Sequence, residues 1–279
     1  GGVALNCVAN GRIVREGPFE NLWVQPAAGD AGSALGAALF VHNTVLGHPR
    51  RFRMDHAYWG PSWSDEEIRA WLDERQIPYH PLTREQMIRE TARQLHEEQA
   101  VVGWMQGRME WGPRSLGMRS ILADPRNQEN WKRVNLKIKF RESFRPFAPA
   151  VLAERAGEWF DLDRESPYML LVCQVRPGRE IPAVTHVDGS ARVQTVTRET
   201  SPEFYDLIAE FDRQTGCPVL INTSFNVRGE PIVCSPEHAW LCFMRTDMDV
   251  LVLGNNLLLK GEQPKLQEDV DWRELYALD

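Results

Sequence analysis

The chain has 279 residues, of which 43% are hydrophobic and 25% are charged, and its formal net charge is −7 at pH 7. This composition excludes a disordered chain, and the length allows two modest domains or one large one. The acidic balance argues against a general nucleic-acid surface. No stretch reaches the roughly 20 apolar residues of a membrane helix. We therefore expect neither nucleic acid nor a membrane as a partner.

The cysteines and the start of the chain indicate where the protein works. The five cysteines are scattered and show no metal-ligand spacing, which favours a reducing cytoplasm. The start, "GGVALNCVAN", has neither a basic leader segment nor an initiator methionine. We therefore expect a cytoplasmic protein whose chain has been cut from a longer polypeptide.

The first 82 residues are predicted to contain two helices and a linker. The opening "GGVALN" is interpreted as a strand that enters a glycine turn, and "GDAGSALGAALFVHN" as a turn that leads into a helix. Residues 44–60 lack periodicity and carry glycine and proline, as is typical of a linker. Ser64 and Glu67 form the S-x-x-E pattern of a capping box, so the second helix begins there.

From residue 83 onwards, short apolar strands are mixed with helices. Thr83 and Gln86 repeat the capping pattern, and Ser-Pro pairs at 201–202 and 235–236 begin two more helices, the first of them closed by Gly216. Strands are predicted for the segments AVVGWMQG, SILAD, PFAPAVLA, YMLLVCQV, ARVQTVT, CPVLINTSF and DVLVLGNNLLL. This mixture predicts an α/β (α+β) sheet domain.

Basic residues concentrate in one segment, Arg108–Arg145, which holds ten Lys/Arg and four Asp/Glu and has a net charge of +6. Arginine forks match phosphate and carboxylate oxygens in pairs, so Arg114 and Arg119 are candidates for an anion site. Gly112 and Gly117 beside them would let the backbone approach a ligand. The alternative is a group of surface arginines around a turn.

The second basic cluster lies in "KFRESFRPFAP". If this segment is a strand, Lys139, Arg141 and Arg145 point to the same face, since side chains alternate. Their apolar neighbours imply burial, and a buried row of cations needs an anion as a partner. The alternative is an exposed strand face in water.

Polar residues follow an apolar strand in "CPVLINTSFNVRGEPIV". Asn222, Ser224 and Asn226 are donors and acceptors at the carboxyl end of that strand, where ligands commonly bind in α/β sheets. The alternative is an ordinary polar turn. Arg192 lies on another predicted strand, after His186, which we interpret as a structural histidine.

The start of the chain carries a weaker cluster. Gly1 and Gly2 together with Asn6 are able to hold a nucleoside, and Asp30, in a glycine turn, is able to reach a metal ion.

Six segments together resemble one family. They are "GGVALN", "GDAGSALGAA", "GRMEWGPRSLGMRSILADPR", "KFRESFRPFAP", "THVDGSARVQTV" and "INTSFNVRGEPIV". In this order they resemble the O-carbamoyltransferase family that includes NodU, CmcH and TobZ. The resemblance implies the end of an actin-like transferase domain at residues 1–48, a linker and helix at 49–82, and a YrdC-like domain with a twisted open sheet at 83–279.

The resemblance also implies a reaction in two stages. Carbamoyl phosphate and ATP, with Mg²⁺, give carbamoyl adenylate in the YrdC-like domain, and the carbamoyl group then passes to an acceptor hydroxyl in the actin-like domain. The K-x-R and S-x-N clusters of YrdC-like domains match Lys139 with Arg141 and Ser224 with Asn226. The expected catalytic residues are Lys139, Arg141 and Arg145. The expected residues that bind carbamoyl phosphate and ATP are Arg114, Arg119, Lys139, Arg141, Arg145, Arg192, Asn222, Ser224 and Asn226.

In the actin-like domain of this family, two histidines spaced H-x-x-x-H and an aspartate bind iron. Asp30 matches the aspartate, but the chain contains no H-x-x-x-H, so the Fe²⁺ site of the complete protein is incomplete here. The expected partners are carbamoyl phosphate, a hydroxyl-bearing small molecule or oligosaccharide, and the missing N-terminal half of the actin-like domain.

Two other functions stay open. One is a threonylcarbamoyl-adenylate synthase that modifies tRNA, although the chain lacks a basic balance. The other is a non-catalytic module that binds a nucleotide.

Overall fold

The computed structural model describes residues 1–140 and 146–266. Its α-helices are, in chain order, α1 (Cys7–Glu16), α2 (Asp30–Phe40), α3 (Asp65–Glu74), α4 (Arg84–His96), α5 (Gln128–Arg133), α6 (Ala156–Trp159), α7 (Pro202–Thr215) and α8 (Pro236–Met244). A π-helical turn extends α2 through Val41–Val45, and another extends α5 through Val134–Ile138. None of the helices described is both long enough and apolar enough to cross a membrane.

The helices begin and end where their capping residues predict. Ser64 Oγ accepts from the backbone of Glu67 over 3.2 Å, and the Glu67 carboxylate accepts from the backbone of Ser64 over 2.8 Å. Thr83 and Gln86 make the same reciprocal pair at the start of α4. Gly216 ends α7 with a φ of +73°, in the left-handed region. The predicted starts of these helices are therefore confirmed.

The strands form one mixed sheet. They are β1 (His80–Pro81), β2 (Val102–Met105), β3 (Arg119–Ala123), β4 (Ala148–Leu152), β5 (Leu171–Gln174), β6 (Ser190–Val196), β7 (Val219–Ser224), β8 (Val250–Leu253) and β9 (Asn256–Leu259). Among the described residues their order is β1-β9-β8-β2-β3-β7-β4-β6-β5. β2 runs parallel to β8 and β4 parallel to β6, while the other neighbours are antiparallel. The predicted mixed α/β sheet fold is confirmed.

Helices cover the sheet and close its core. Phe204 and Phe211 of α7 are fully buried with the central strands, and α7 packs against α4. Ile68 and Leu72 of α3 belong to the same core, although α3 falls in the predicted linker-and-helix segment. The domain boundaries at 48 and 82 stay predictions.

Three local predictions were wrong or incomplete. The opening is not a strand, because residues 2–5 form a turn. The Asn6 side chain then caps α1 by accepting from the backbone of Ala9 over 3.0 Å. "DVLVLGNNLLL" is two strands, β8 and β9, joined at Gly254. Lys139 is not on a strand but follows the helical stretch of α5, in which Val134 and Ile138, four residues apart, are both buried. Arg141 and Arg145 lie outside the described residues.

Candidate functional site

A small polar cavity of about 130 Å³ lies on one face of strands β4, β6 and β7. Pairing of β4 with β7 puts Ala148 opposite Asn222, and pairing of β4 with β6 puts Ala150 opposite Gln194. Because side chains two residues apart in a strand share a face, Asn222 and Ser224 of β7 lie on the same face as Arg192 and Gln194 of β6. The sheet register thus brings polar side chains together that are distant in sequence.

Four predicted ligand-binding residues line this cavity: Arg114, Arg192, Asn222 and Ser224. Ser115 and Thr223 are also part of its lining, and Phe147, Ala148 and Met169 contribute an apolar part. Met169 has a φ of +55°, which is rare for a residue with a side chain and costs conformational energy.

Lys139 reaches the same place from the end of the α5 helical stretch. Its ammonium group donates to the Asn226 side-chain oxygen over 2.7 Å, to the Asn226 carbonyl over 2.8 Å and to Ser224 Oγ over 3.2 Å. It also donates to the Ser224 carbonyl, and the Lys139 residue is only 4% exposed. The structure therefore joins Lys139 to Ser224 and Asn226, the residues that the resemblance had grouped.

The loop that carries Arg114 is held by Glu110, which the sequence analysis did not single out. One carboxylate oxygen of Glu110 accepts from the backbone nitrogens of Leu116 over 2.6 Å, Met118 over 2.7 Å and Arg119 over 3.3 Å. Burial raises the pKa of Glu110, and these backbone donors oppose the shift. An acidic residue within a basic segment was the available signal for this role.

The two glycines of this loop serve packing inside the protein. At Gly117, with a φ of +107°, an added Cβ would lie 2.1 Å from the ring of Phe204. At Gly112, with a φ of +131°, it would lie 2.9 Å from the carbonyl oxygen of Pro26. The close approaches that these glycines allow are to Phe204 and Pro26, and the approach of their backbone to a ligand stays a prediction.

Arg119 lies beneath the loop and not in the lining of the cavity. The Arg119 guanidinium is fully buried and donates to backbone carbonyls, among them those of Gln106 over 2.6 Å, Met118 over 2.9 Å and Pro61 over 3.2 Å. Burial lowers the pKa of Arg119, while the charge of Glu110 opposes the shift. This geometry gives Arg119 a part in fixing the loop, and its role as a ligand-binding residue stays a prediction.

Several polar atoms at the cavity have no hydrogen-bond partner within the described part of the chain. They are Arg114 Nε, Ser115 Oγ and Asn222 Oδ1, all three buried. Buried polar atoms are nearly always paired, so three such atoms at one cavity indicate a place where a bound molecule completes the hydrogen bonds. Two arginines, hydroxyls and an amide oxygen fit a small anion that also carries a polar group.

The residues predicted near the start of the chain lie elsewhere. Gly1 contacts the carbonyl of Ala28 through its nitrogen, Asn6 caps α1, and Asp30 is the exposed first residue of α2. None of Gly1, Gly2, Asn6 and Asp30 lines the polar cavity. Within residues 1–140 and 146–266, no group of three or more His, Cys, Asp and Glu is placed to hold a metal ion. The residues present therefore do not fit an iron site by themselves.

Comparison with known proteins places these features in a family. A family model described as the carbamoyltransferase C-terminus matches residues 92–260, and one described as the carbamoyltransferase N-terminus matches residues 1–39. The first match includes every residue of the polar cavity.

Curated relatives and one solved structure were compared with the chain. The nodulation protein NolO of Bradyrhizobium diazoefficiens is 47% identical over 99% of this chain and 51% of its own length. A 3'-hydroxymethylcephem-O-carbamoyltransferase of Amycolatopsis lactamdurans is 39% identical over 94% of this chain and 48% of its own length. Full-length HypF in its phosphate- and nucleotide-bound form aligns with 63% of this chain and 22% of its own length, at 19% identity and with a TM-score of 0.44.

The chain spans about half the length of the curated relatives it matches. The family models cover both the N-terminal segment and most of the sheet, including the loop of Arg114 and the strands that form the cavity. The chain belongs to the carbamoyltransferase family.

Proposed function

We propose that this chain forms carbamoyl adenylate from carbamoyl phosphate and ATP. The observation that carries the proposal is the polar cavity in which Arg114 and Arg192 lie beside Ser224, itself bound by Lys139. The two arginines that line the cavity, with Lys139 bound to Ser224 next to them, favour a ligand with negative charge. Fixed cations also offset the repulsion between two polyanionic substrates. Arg141 and Arg145 are proposed to add to this set.

The chemistry requires one water molecule. Water first hydrolyses carbamoyl phosphate to carbamate, and the bond to its phosphate breaks as phosphate leaves. A carbamate oxygen then attacks the α-phosphorus of ATP, and the bond to pyrophosphate breaks to give carbamoyl adenylate and pyrophosphate. Arginine and lysine side chains held in place before the reaction stabilise the charge that develops on the leaving phosphate oxygens. Mg²⁺ would neutralise the negative charge on the phosphate oxygens of ATP. Holding the reactants together supplies the remaining rate acceleration.

We further propose that the longer protein transfers the carbamoyl group to a hydroxyl of a small molecule or an oligosaccharide. The Amycolatopsis relative is a 3'-hydroxymethylcephem-O-carbamoyltransferase, and its name supports a hydroxyl acceptor. The transfer belongs to the whole protein, because this chain spans about half of its relatives. Asp30 would contribute to an Fe²⁺ site only together with ligands from elsewhere.

A pyrophosphate-release assay tests the proposal. With ATP and carbamoyl phosphate, we expect pyrophosphate release that drops at least about a hundredfold in Arg114→Ala, the loss expected when one charged donor to a transition state is removed. Arg108→Ala is the matched control, because Arg108 is an exposed arginine near the same loop that does not line the cavity.

Other donors separate the alternatives. Release with threonine and bicarbonate, but not with carbamoyl phosphate, would point instead to a threonylcarbamoyl-adenylate synthase. Binding of ATP without release under either condition would leave a non-catalytic nucleotide-binding module. Either result would overturn the proposal.

A further inference from the structure

The lining of the polar cavity includes a buried side-chain amide, that of Asn222, whose orientation is set by its neighbours. Asn222 is 1% exposed, and its side-chain nitrogen donates to the carbonyl of Ser115 over 3.1 Å and to the side-chain oxygen of Gln194 over 2.7 Å. The other amide atom, Asn222 Oδ1, has no hydrogen-bond partner among the described residues.

A chain of hydrogen bonds determines which amide atom is left over. The carbonyl of Leu116 is only an acceptor, so the Gln194 side-chain nitrogen must donate to it, which it does over 2.9 Å. The Gln194 oxygen therefore faces Asn222 and needs a donor. The Ser115 carbonyl needs a donor as well, so the nitrogen of Asn222 is engaged on both sides. The Asn222 side-chain amide therefore cannot flip, and its oxygen remains an acceptor without a donor among the described residues.

A buried acceptor without a donor carries a desolvation cost, which a ligand removes only if it brings an N–H or O–H group to that point. The cations at the cavity, Arg114 and Arg192, select a negatively charged ligand. The cavity as a whole therefore fits a small anion that also carries a hydrogen-bond donor. Carbamoyl phosphate has this form, since its phosphate is anionic and its NH₂ group is a donor.

We propose that Asn222 Oδ1 accepts a hydrogen bond from the NH₂ group of carbamoyl phosphate and so determines specificity for the carbamoyl group. The proposal rests on the proposed function and adds to it the residue that distinguishes a carbamoyl group from an acyl group of the same shape. In acetyl phosphate a methyl group replaces the NH₂ group, and Asn222 Oδ1 would stay buried without a donor. A site built to bind an N–H rejects the analogue that lacks it.

The test compares three probes: carbamoyl phosphate, acetyl phosphate and inorganic phosphate. Affinities of the 279-residue chain are measured by titration calorimetry. We expect the wild type to prefer carbamoyl over acetyl phosphate by about ten- to a hundredfold, the range that one unmatched buried polar group produces. In Asn222→Ala we expect this ratio to fall to near one, with little change in the affinity for phosphate.

Asn130→Ala is the matched control, because Asn130 is also a buried asparagine but does not line the cavity. We expect this variant to keep the wild-type ratio. Asn222→Leu is the second variant, since it keeps the number and branching of the side-chain heavy atoms and removes the acceptor, and its ratio should also fall to near one.

The outcomes separate this proposal from the one it rests on. A wild type that binds carbamoyl and acetyl phosphate equally would overturn the role of Asn222 whether or not the variants fold, and so would a folded Asn222→Ala that keeps the preference. In both cases pyrophosphate release with carbamoyl phosphate would still stand. If the wild type neither binds carbamoyl phosphate nor releases pyrophosphate with it, the proposed function itself fails.

Discussion

The N-terminal region, residues 1–63, and the sheet region, residues 64–266 without 141–145, expose their apolar side chains very differently. Of fourteen exposed large hydrophobic side chains in the described chain, twelve lie in the N-terminal region. They are Val3, Val8, Ile13, Phe19, Trp23, Phe40, Val41, Val45, Leu46, Phe52, Trp59 and Trp63. The buried hydrophobic residues of this region are two alanines, Ala27 and Ala57. The sheet region holds its own core, whereas the N-terminal region does not.

The contrast is sharpest in α2. Most of its residues are apolar or small, yet none of them is buried. An exposed apolar surface of this extent is typical of a face that takes part in an interaction. This agrees with the expectation that residues 1–48 are the end of another domain, which stays a prediction. The sheet region, by contrast, carries the polar cavity on strands whose register its own core maintains.

The largest effect we expect is on the free energy of unfolding, and one phenylalanine substitution in each region measures it. Phe211→Ala should lower the free energy of unfolding by about 3–5 kcal/mol, since it removes a fully buried ring from the core. Phe40→Ala, at the exposed end of α2, should change it by less than about 0.5 kcal/mol. Urea denaturation monitored by tryptophan fluorescence measures both.

The contrast between the two regions would be wrong if Phe40→Ala lowered the free energy of unfolding as much as Phe211→Ala does. That result would mean that Phe40 is packed in solution. Repeating the denaturation over a range of protein concentrations would then show whether a second copy of the chain covers it, because such a contribution depends on concentration.

A smaller effect concerns a buried charge within the sheet region. Lys139→Ala should lower the free energy of unfolding by about 2 kcal/mol, because it leaves the partly buried oxygens of Ser224 and Asn226 without their charged donor. Lys132→Ala, on the same helical stretch, is the control. Lys132 makes an exposed ion pair with Glu129, so its loss should cost less than about 0.5 kcal/mol. Thermal and urea denaturation measure both variants. If Lys139→Ala and Lys132→Ala destabilised the protein equally, Lys139 would not make the hydrogen bonds that the structure shows.

Much of the fold could be predicted because its signals are local. Ser64 and Thr83 cap the helices that follow them, and the apolar segments of the sheet region form strands. Lys139 shows how a local signal fails. Its alternation with Arg141 suggested a strand, but Val134 and Ile138 just before it follow a helical period and are buried. The energy of burying apolar residues outweighs the preference suggested by a few charges.

The site could be predicted only in part, because its geometry depends on contacts between distant segments. The resemblance grouped Ser224 and Asn226 with Lys139, and the structure joins them. No pattern in the sequence pairs Asn222 with Gln194, since that contact depends on the register of β4 between β6 and β7. Glu110 was missed because its position as an acidic residue in a basic segment does not show that it binds backbone nitrogens.

The smallest effect we expect tests a contact between the two regions. Tyr58 belongs to the N-terminal region, but its hydroxyl donates to the carbonyl of Leu116 over 3.1 Å and accepts from Ser201. Tyr58→Phe should therefore lower the free energy of unfolding at neutral pH by about 1 kcal/mol. Gln194 still donates to the Leu116 carbonyl in this variant, which limits the loss.

The difference in free energy of unfolding between the wild type and Tyr58→Phe should depend on pH, and this dependence tests whether the Tyr58 hydroxyl is buried. Burial raises the pKa of Tyr58 above its ordinary value of about 10, so the folded state holds the phenol proton more tightly than the unfolded state does. Below that value both states are protonated, and the contribution of the hydroxyl to stability is complete. As the pH rises above 10, the unfolded phenol ionises first, and stability is lost. Tyr58→Phe lacks this ionisation, so its deficit relative to the wild type should shrink between pH 9 and about pH 11. Urea denaturation of both proteins at each pH measures it, and a deficit that stays constant would mean that Tyr58 is open to water and that the two regions are not joined there.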